Sequence, residues 1–214
     1  FISFKPWLYN DRAIATHLPY KDKTKEIRNV TNCTALSSGW SWNIPLWNRM
    51  GSGYVYSSDF ISDDDAEKEF KQHVGNEDIE IRKINIRHGV REKGWVKNVV
   101  GVGLAFGFIE PLESTGLVST HEMIQQLVEI LDRRNYNITG FDRDSYNYAC
   151  QLVVTGYMYF VSLHYKLSQR SDTPYWKYQT EIKDWFKLSD PRLFTENKLH
   201  FSYENGSTVW YENI

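Results

Sequence analysis

Gly103-Leu-Ala-Phe-Gly107-Phe-Ile-Glu110-Pro-Leu-Glu113-Ser-Thr-Gly116 is the stretch on which the reading of this chain turns. Glycines interrupt an apolar run, two carboxylates flank a proline, and Ser-Thr-Gly leads into a helical pattern. A hydrophobic core needs neither the acids nor that density of glycine, whereas a site that brings backbone close to a ligand uses both. Upstream, Trp95–Gly103 (W-V-K-N-V-V-G-V-G) predicts a buried strand, so the stretch reads as a strand–loop–helix connection. Backbone N–H groups at such a helix start have no intrahelical acceptor and point outward, which favours an anion. An ordinary β-to-α connection with glycines for tight packing explains the same pattern equally well at this point.

Glu110 and Glu113 need separate weighing. Two carboxylates could act as an acid/base pair of the glycosidase kind. Pro111 between them disfavours a regular helix, so the i, i+3 spacing does not place both on one face. Either acid also suits a structural ion pair or a helix start.

Before this stretch the chain reads as β-structure. Arg12–Pro19, Glu26–Leu36, Gly39–Trp47 and Gly53–Ser58 are short runs rich in aromatic and β-branched residues between turn signals. Trp40, Trp42 and Ile44 alternate and share one strand face. Gly51 and Gly53 alternate likewise and suggest a bend or close backbone approach. Ser62 is a helix cap followed by Asp63, Asp64 and Asp65, acids that suit the helix dipole. Ile79, Ile81, Ile84 and Ile86 mark another strand region.

Beyond Gly116 the pattern is helical. Ser119-Thr-His-Glu122 has capping-box form, and Ile124, Leu127, Val128 and Leu131 recur at helical spacing. Phe141–Ser168 predicts a long helix with an apolar stripe at Ala149, Leu152, Val153, Gly156, Phe160, Leu163 and Leu167. Pro174 opens a shorter helix to about Lys187. With 41% hydrophobic and 24% charged residues the chain is globular in composition, and a net charge of -2 makes no case for nucleic acid or an anionic membrane. No apolar run approaches the ~20 residues of a membrane span. Cys33 and Cys150 fit no metal or redox spacing, and His121-Glu122 lacks the second His of a zinc-hydrolase helix. No metal is expected.

Two rare segments now combine. Glu110-Pro-Leu-Glu-Ser-Thr-Gly116 and Trp40-Ser-Trp-Asn-Ile-Pro45 resemble the E-P-L-E-S-T-G and W-x-W-x-I-P signatures of flavin-dependent halogenases of the tryptophan-halogenase family, in the same order. Asp11-Arg-Ala13, Gly51–Ser58 and Ser168–Pro174 are similar to that family too, so the likeness runs to at least Trp176. It implies an α+β chain that is part of a flavin monooxygenase-like, FAD-binding fold. Residues 1–118 would form a β-rich part carrying the flavin- and halide-contacting loop, and 119–214 a helical region. It also implies an enzyme in which reduced FAD and oxygen drive oxidation of bound chloride or bromide, and the hypohalous product crosses a tunnel to an electron-rich, indole-like arene.

On that resemblance Glu113 would be the active-site carboxylate, stabilising positive charge on the attacked ring. Ser114 would stand at the tunnel, and the amides of Thr115 and Gly116 would hold the halide. Gly103, Leu104, Pro111, Gly116 and Leu117 would lie along the flavin. Trp40 and Trp42, with Ile44 and Pro45, would form a flavin-side barrier that keeps organic substrate away. A separate flavin reductase would supply reduced FAD; a cytoplasmic protein is expected, and a homodimer is left open. A flavin hydroxylase of the same fold and a catalytically inactive remnant are the alternatives. The family's G-x-G-x-x-G fingerprint and catalytic lysine have no counterpart among these residues, and Gly101-Val-Gly103 continues with the wrong spacing. The 214 residues alone are therefore expected to be inactive.

Overall fold

The computed structural model describes residues 1–181 together with the backbone of 199–204 and 207–212. In chain order the elements are β1 (Ile2–Ser3), β2 (Arg12–Leu18), α1 (Lys23–Glu26), β3 (Asn32–Leu36), β4 (Gly39–Pro45), β5 (Met50–Tyr56), α2 (Asp63–Val74), β6 (Arg82–Asn85), β7 (Gly89–Val90), β8 (Trp95–Val96), β9 (Val99–Val100), β10 (Gly107–Phe108), α3 (Thr115–Arg133), α4 (Gly140–Lys166), α5 (Pro174–Glu181), β11 (Leu199–Glu204) and β12 (Ser207–Glu212). The architecture is α+β, as expected, and β11 and β12 add an antiparallel hairpin to the region read as helical.

The main sheet has the order β3-β4-β5-β2-β6 with every neighbour antiparallel. Strand alternation gives it two buried faces. On one, Ala13, Trp40 and Val55 join the large core that also holds Met123 of α3, Tyr146, Val154 and Tyr165 of α4, and Tyr175 and Trp176 of α5. On the other, Ile14, Tyr54 and Tyr56 pack against Ala66 and Phe70 of α2. Trp40 and Trp42 share the helix-side face with ring centroids 5.9 Å apart. Gly53 is the close approach expected from the sequence: a Cβ there would meet the Trp42 ring at 2.1 Å.

The segment 168–174 ties the helices to the β3–β4 turn. Arg170 donates to the Ala35 carbonyl at 2.8 Å, Thr173 to that of Ser37 at 2.7 Å, and the Trp176 indole to that of Leu36 at 2.7 Å. These bonds give the carbonyls at the end of β3 and in its turn side-chain donors from the segment that follows α4.

Several expectations are corrected. Residues 95–103 are not one strand but the hairpin β8–β9, reversed at Lys97, whose φ is 54°. In the isoleucine region only Arg82–Asn85 pairs as a strand. Ser119 does not cap a helix: α3 begins at Thr115, and the Ser119 hydroxyl donates back to the Gly116 carbonyl at 3.1 Å. The stripe read on α4 is met in part: Leu163 is buried and Val153 and Phe160 pack on the core, but Leu152 and Leu167 are exposed, and Cys150, Val154, Tyr157, Met158, Val161 and Tyr165 are buried as well. The helix from Pro174 is described to Glu181, and its expected remainder lies outside the described residues.

The Ser62 cap is present, its hydroxyl accepting from the Asp65 N–H at 3.1 Å. Ser62→Ala should therefore cost about 1 kcal/mol. A urea titration should show a lower midpoint at unchanged slope.

Candidate functional site

The loop after β10 and the start of α3 enclose a cavity of about 240 Å³, lined on that side by Gly103, Leu104, Glu110, Thr115, Gly116 and Leu117. α3 is 19 residues long and enters directly from the loop, and its cap residue Ser114 makes no side-chain capping bond. No side chain of the cap residue thus satisfies the first N–H groups of the helix, and Thr115 and Gly116, which carry them, line the cavity. Gly116 leaves open space where a side chain would stand, with nothing within 4 Å of a Cβ built there. Leu104 and Leu117 flank the mouth at 80% and 84% exposure. The Thr115 hydroxyl is buried, 3% exposed as a residue, and has no hydrogen-bond partner.

Glu110 shares the cavity lining and is 1% exposed. Its Oε1 accepts from the Trp40 indole N–H at 3.3 Å and from the Tyr165 hydroxyl. Tyr165 in turn accepts from the Asn10 amide at 2.8 Å, and the Asn10 carbonyl oxygen accepts from Tyr175 at 2.9 Å. Trp40 and Tyr165 both donate to Oε1, Asn10 and Tyr175 extend the chain behind Tyr165, and Oε2 is buried without a partner. Burial pushes the Glu110 carboxyl up to about 7, against the opposing pull of the Tyr165, Trp40 and Asn10 hydrogen bonds.

Glu113 takes a different direction. Pro111 keeps helical angles, and then Glu113 and Ser114 adopt φ of 62° and 54° in succession. Two non-glycine residues in the left-handed region are uncommon, each costing on the order of 1–2 kcal/mol, and such strain gathers at functional sites. Glu113 is not among the residues that line the cavity. Its Oε1 lies 3.2 Å from His164 Nε2 of α4, while Nδ1 of that ring lies 3.0 Å from the Phe160 carbonyl. Both oxygens are satisfied together only when the ring carries two N–H groups or the Glu113 carboxyl carries the proton. Glu113 also faces β3, where its charge, second to burial, pushes up the Cys33 thiol.

Of the residues expected at the site, Gly103, Leu104, Thr115, Gly116 and Leu117 thus share one cavity, and Glu113 and Ser114 are not among its lining residues. Pro111 shapes the turn without lining the cavity. Trp40 is buried and reaches it through Glu110, Trp42 is partly buried, and Ile44 is exposed. The sequence reading missed the Glu110 network and His164. The pairing Trp40–Glu110 spans 70 residues and Tyr165–Glu110 spans 55, so no local spacing announces either.

Residues 1–210 match the family model described as tryptophan halogenase. The 7-chloro-L-tryptophan 6-halogenase KtzR of a Kutzneria species is 38% identical over 83% of this chain and 34% of that protein. The crystal structure of the tryptophan 6-halogenase SttH from Streptomyces toxytricini superposes with a TM-score of 0.79 at 40% identity, covering 84% of this chain and 35% of that one. The apo structure of VirX1 gives a TM-score of 0.83 at 49% identity, over 87% and 36%. The chain spans about a third of the length of the curated relatives it matches.

Proposed function

The chain belongs to the tryptophan halogenase family, and from that premise we propose that it carries the halide-holding and ring-facing part of an FADH2-dependent halogenase acting with O2 and chloride or bromide on an indole- or tryptophan-like arene. One observation carries the reading: the uncapped start of α3 at Thr115-Gly116 opens on a cavity that also holds the unpartnered Thr115 hydroxyl. A monovalent anion suits two free N–H groups and a hydroxyl donor at the positive end of a 19-residue helix.

The flavin fits the same cavity on one side. Gly116 lets a planar group approach the backbone, Gly103 supplies the left-handed turn at φ 60° on the same lining, and the exposed Leu104 and Leu117 offer apolar edges. When bound, reduced flavin supplies the two electrons that activate oxygen toward the halide. Thr115 and Gly116 hold the anion against that face, and Ser114 borders the passage from cavity to substrate. Glu113, turned the other way by its left-handed backbone, meets the arene and stabilises its developing positive charge. His164 orients Glu113 from α4. Trp40 and Trp42 fill the sheet face behind Glu110 and bar organic substrate from the flavin side. A separate flavin reductase supplies the reduced cofactor.

The test is direct. The complete protein, given reduced FAD, air, bromide and tryptophan or indole, should release a product with the bromine isotope doublet in its mass spectrum. A hydroxylated product, or none with any indole tried, would overturn the reading.

A further inference from the structure

We propose that Glu110 is a proton-linked partner of the Thr115–Gly116 anion site: with a proton on Oε2 it donates a hydrogen bond to an anion in the cavity, and without that proton its carboxylate repels the anion. The proposal rests on the reading of Thr115-Gly116 as a halide site. Its independent support is a second buried polar residue among those that line the same cavity. Glu110 is 1% exposed, lines the cavity, and has one oxygen saturated by Trp40 and Tyr165 while Oε2 has nothing. Donors converge on Oε1, so the proton of the neutral acid resides on Oε2, and the cavity is where that O–H can find an acceptor. An unpartnered buried donor or acceptor costs free energy until a ligand meets it.

Surroundings decide the sign. Tyr165 of α4 and Tyr175 of α5, the latter through Asn10, are the titratable groups that face Glu110, and burial keeps both neutral. The β4 side offers the uncharged Trp40 indole and the α3 side the Thr115 hydroxyl. Among the described residues no cation bears on the carboxyl, so ionisation leaves a naked negative charge beside an anion site. Proton and anion then bind together, by linkage.

Chloride binding to the complete, flavin-free protein can be followed by NMR line broadening of the chloride nucleus across a pH series. Between about pH 6 and about pH 8 the affinity should fall about tenfold, because Glu110 titrates inside that window. Glu110→Gln, which keeps a donor and cannot ionise, should bind chloride with an affinity flat across the same range. An infrared difference spectrum should show a buried carboxylic C=O stretch at the acid end that Glu110→Gln lacks, which checks protonation even if the variant folds poorly. Chloride binding that is flat with pH in the unmodified protein, or equally pH-dependent in Glu110→Gln, overturns the role of Glu110 and leaves the halide site standing. Absence of chloride binding at every pH overturns both.

Discussion

Glu113→Gln is expected to lower halogenation about a hundredfold or more while flavin-dependent release of hydrogen peroxide continues. The magnitude follows from the proposed role. A carboxylate facing an arene that gains positive charge acts on the transition state and little on the bound ground state, and removing such a preorganised group costs roughly two to three orders of magnitude in kcat. The substitution isolates charge from geometry. Glutamine has nearly the same shape, tolerates the left-handed backbone at φ 62° no worse than glutamate, and still offers an oxygen to His164 Nε2, now 3.2 Å from Glu113 Oε1. Glu113 does not line the cavity assigned to halide and flavin, so peroxide release, which needs only that side, should persist. KM for the arene should change little, because the lost interaction belongs to the transition state. Halogenation at an unchanged rate would remove Glu113 from the chemistry. Loss of both reactions would assign it to the fold or the flavin side instead.

How much of this was legible beforehand depends on whether the signal was local. The alternation Trp40, Trp42, Ile44 placed a strand and its inward face because period two is a local property, and β4 carries both indoles on the helix-side face. Ser62 with its three acids placed α2, and the strand–loop–helix at the opening stretch put Thr115 and Gly116 at a helix start. The hairpin β8–β9 was misread as one strand because its turn rests on Lys97, a residue without the usual left-handed preference, between two apolar pairs. On α4 apolar residues occur on several faces, so the expected stripe holds at Leu163, Val153 and Phe160 and fails at Leu152 and Leu167. Two of the tyrosines that enter the core do so with their hydroxyls partnered, Tyr165 on Glu110 and Tyr157 on Glu122. The same hidden partnership obscured Glu110. Read beside Glu113 it was half of an unconvincing acid pair, and what distinguishes it arrives from β4, α4 and α5, whose contributions no linear spacing encodes.

The largest loss of stability is expected at Gly39. It opens β4 and pairs with Tyr56 of β5 in the interior of the five-stranded sheet. A Cβ on Gly39 would lie 1.9 Å from the Val55 carbonyl oxygen, 2.8 Å from Tyr56 Cα and 2.9 Å from the Val55 carbonyl carbon. All three are backbone atoms, so no rotamer change relieves the overlap. β4 must separate from β5, or β5 must bend, and either breaks ladder bonds and opens the packing of Val55 and Trp40. Gly39→Ala should therefore destabilise by about 3 kcal/mol or more, the range of overpacking joined to broken backbone pairing. Gly51 on β5 provides the contrast, because a Cβ there would meet the Ile44 carbonyl oxygen at 3.7 Å, an ordinary contact. Gly51→Ala should be neutral or slightly stabilising, through the smaller entropy of the unfolded chain. Urea denaturation of the two variants side by side separates a steric cause from a general intolerance of alanine in these strands, and Gly39→Ala within about 0.5 kcal/mol of the parent would refute it. The consequence reaches the site as well. Trp40 follows Gly39 directly, and displacing it withdraws the indole donor from Glu110 Oε1. With one donor fewer the ionised carboxyl loses support, so where Gly39→Ala folds, Glu110 should hold its proton to higher pH and the chloride titration should shift the same way.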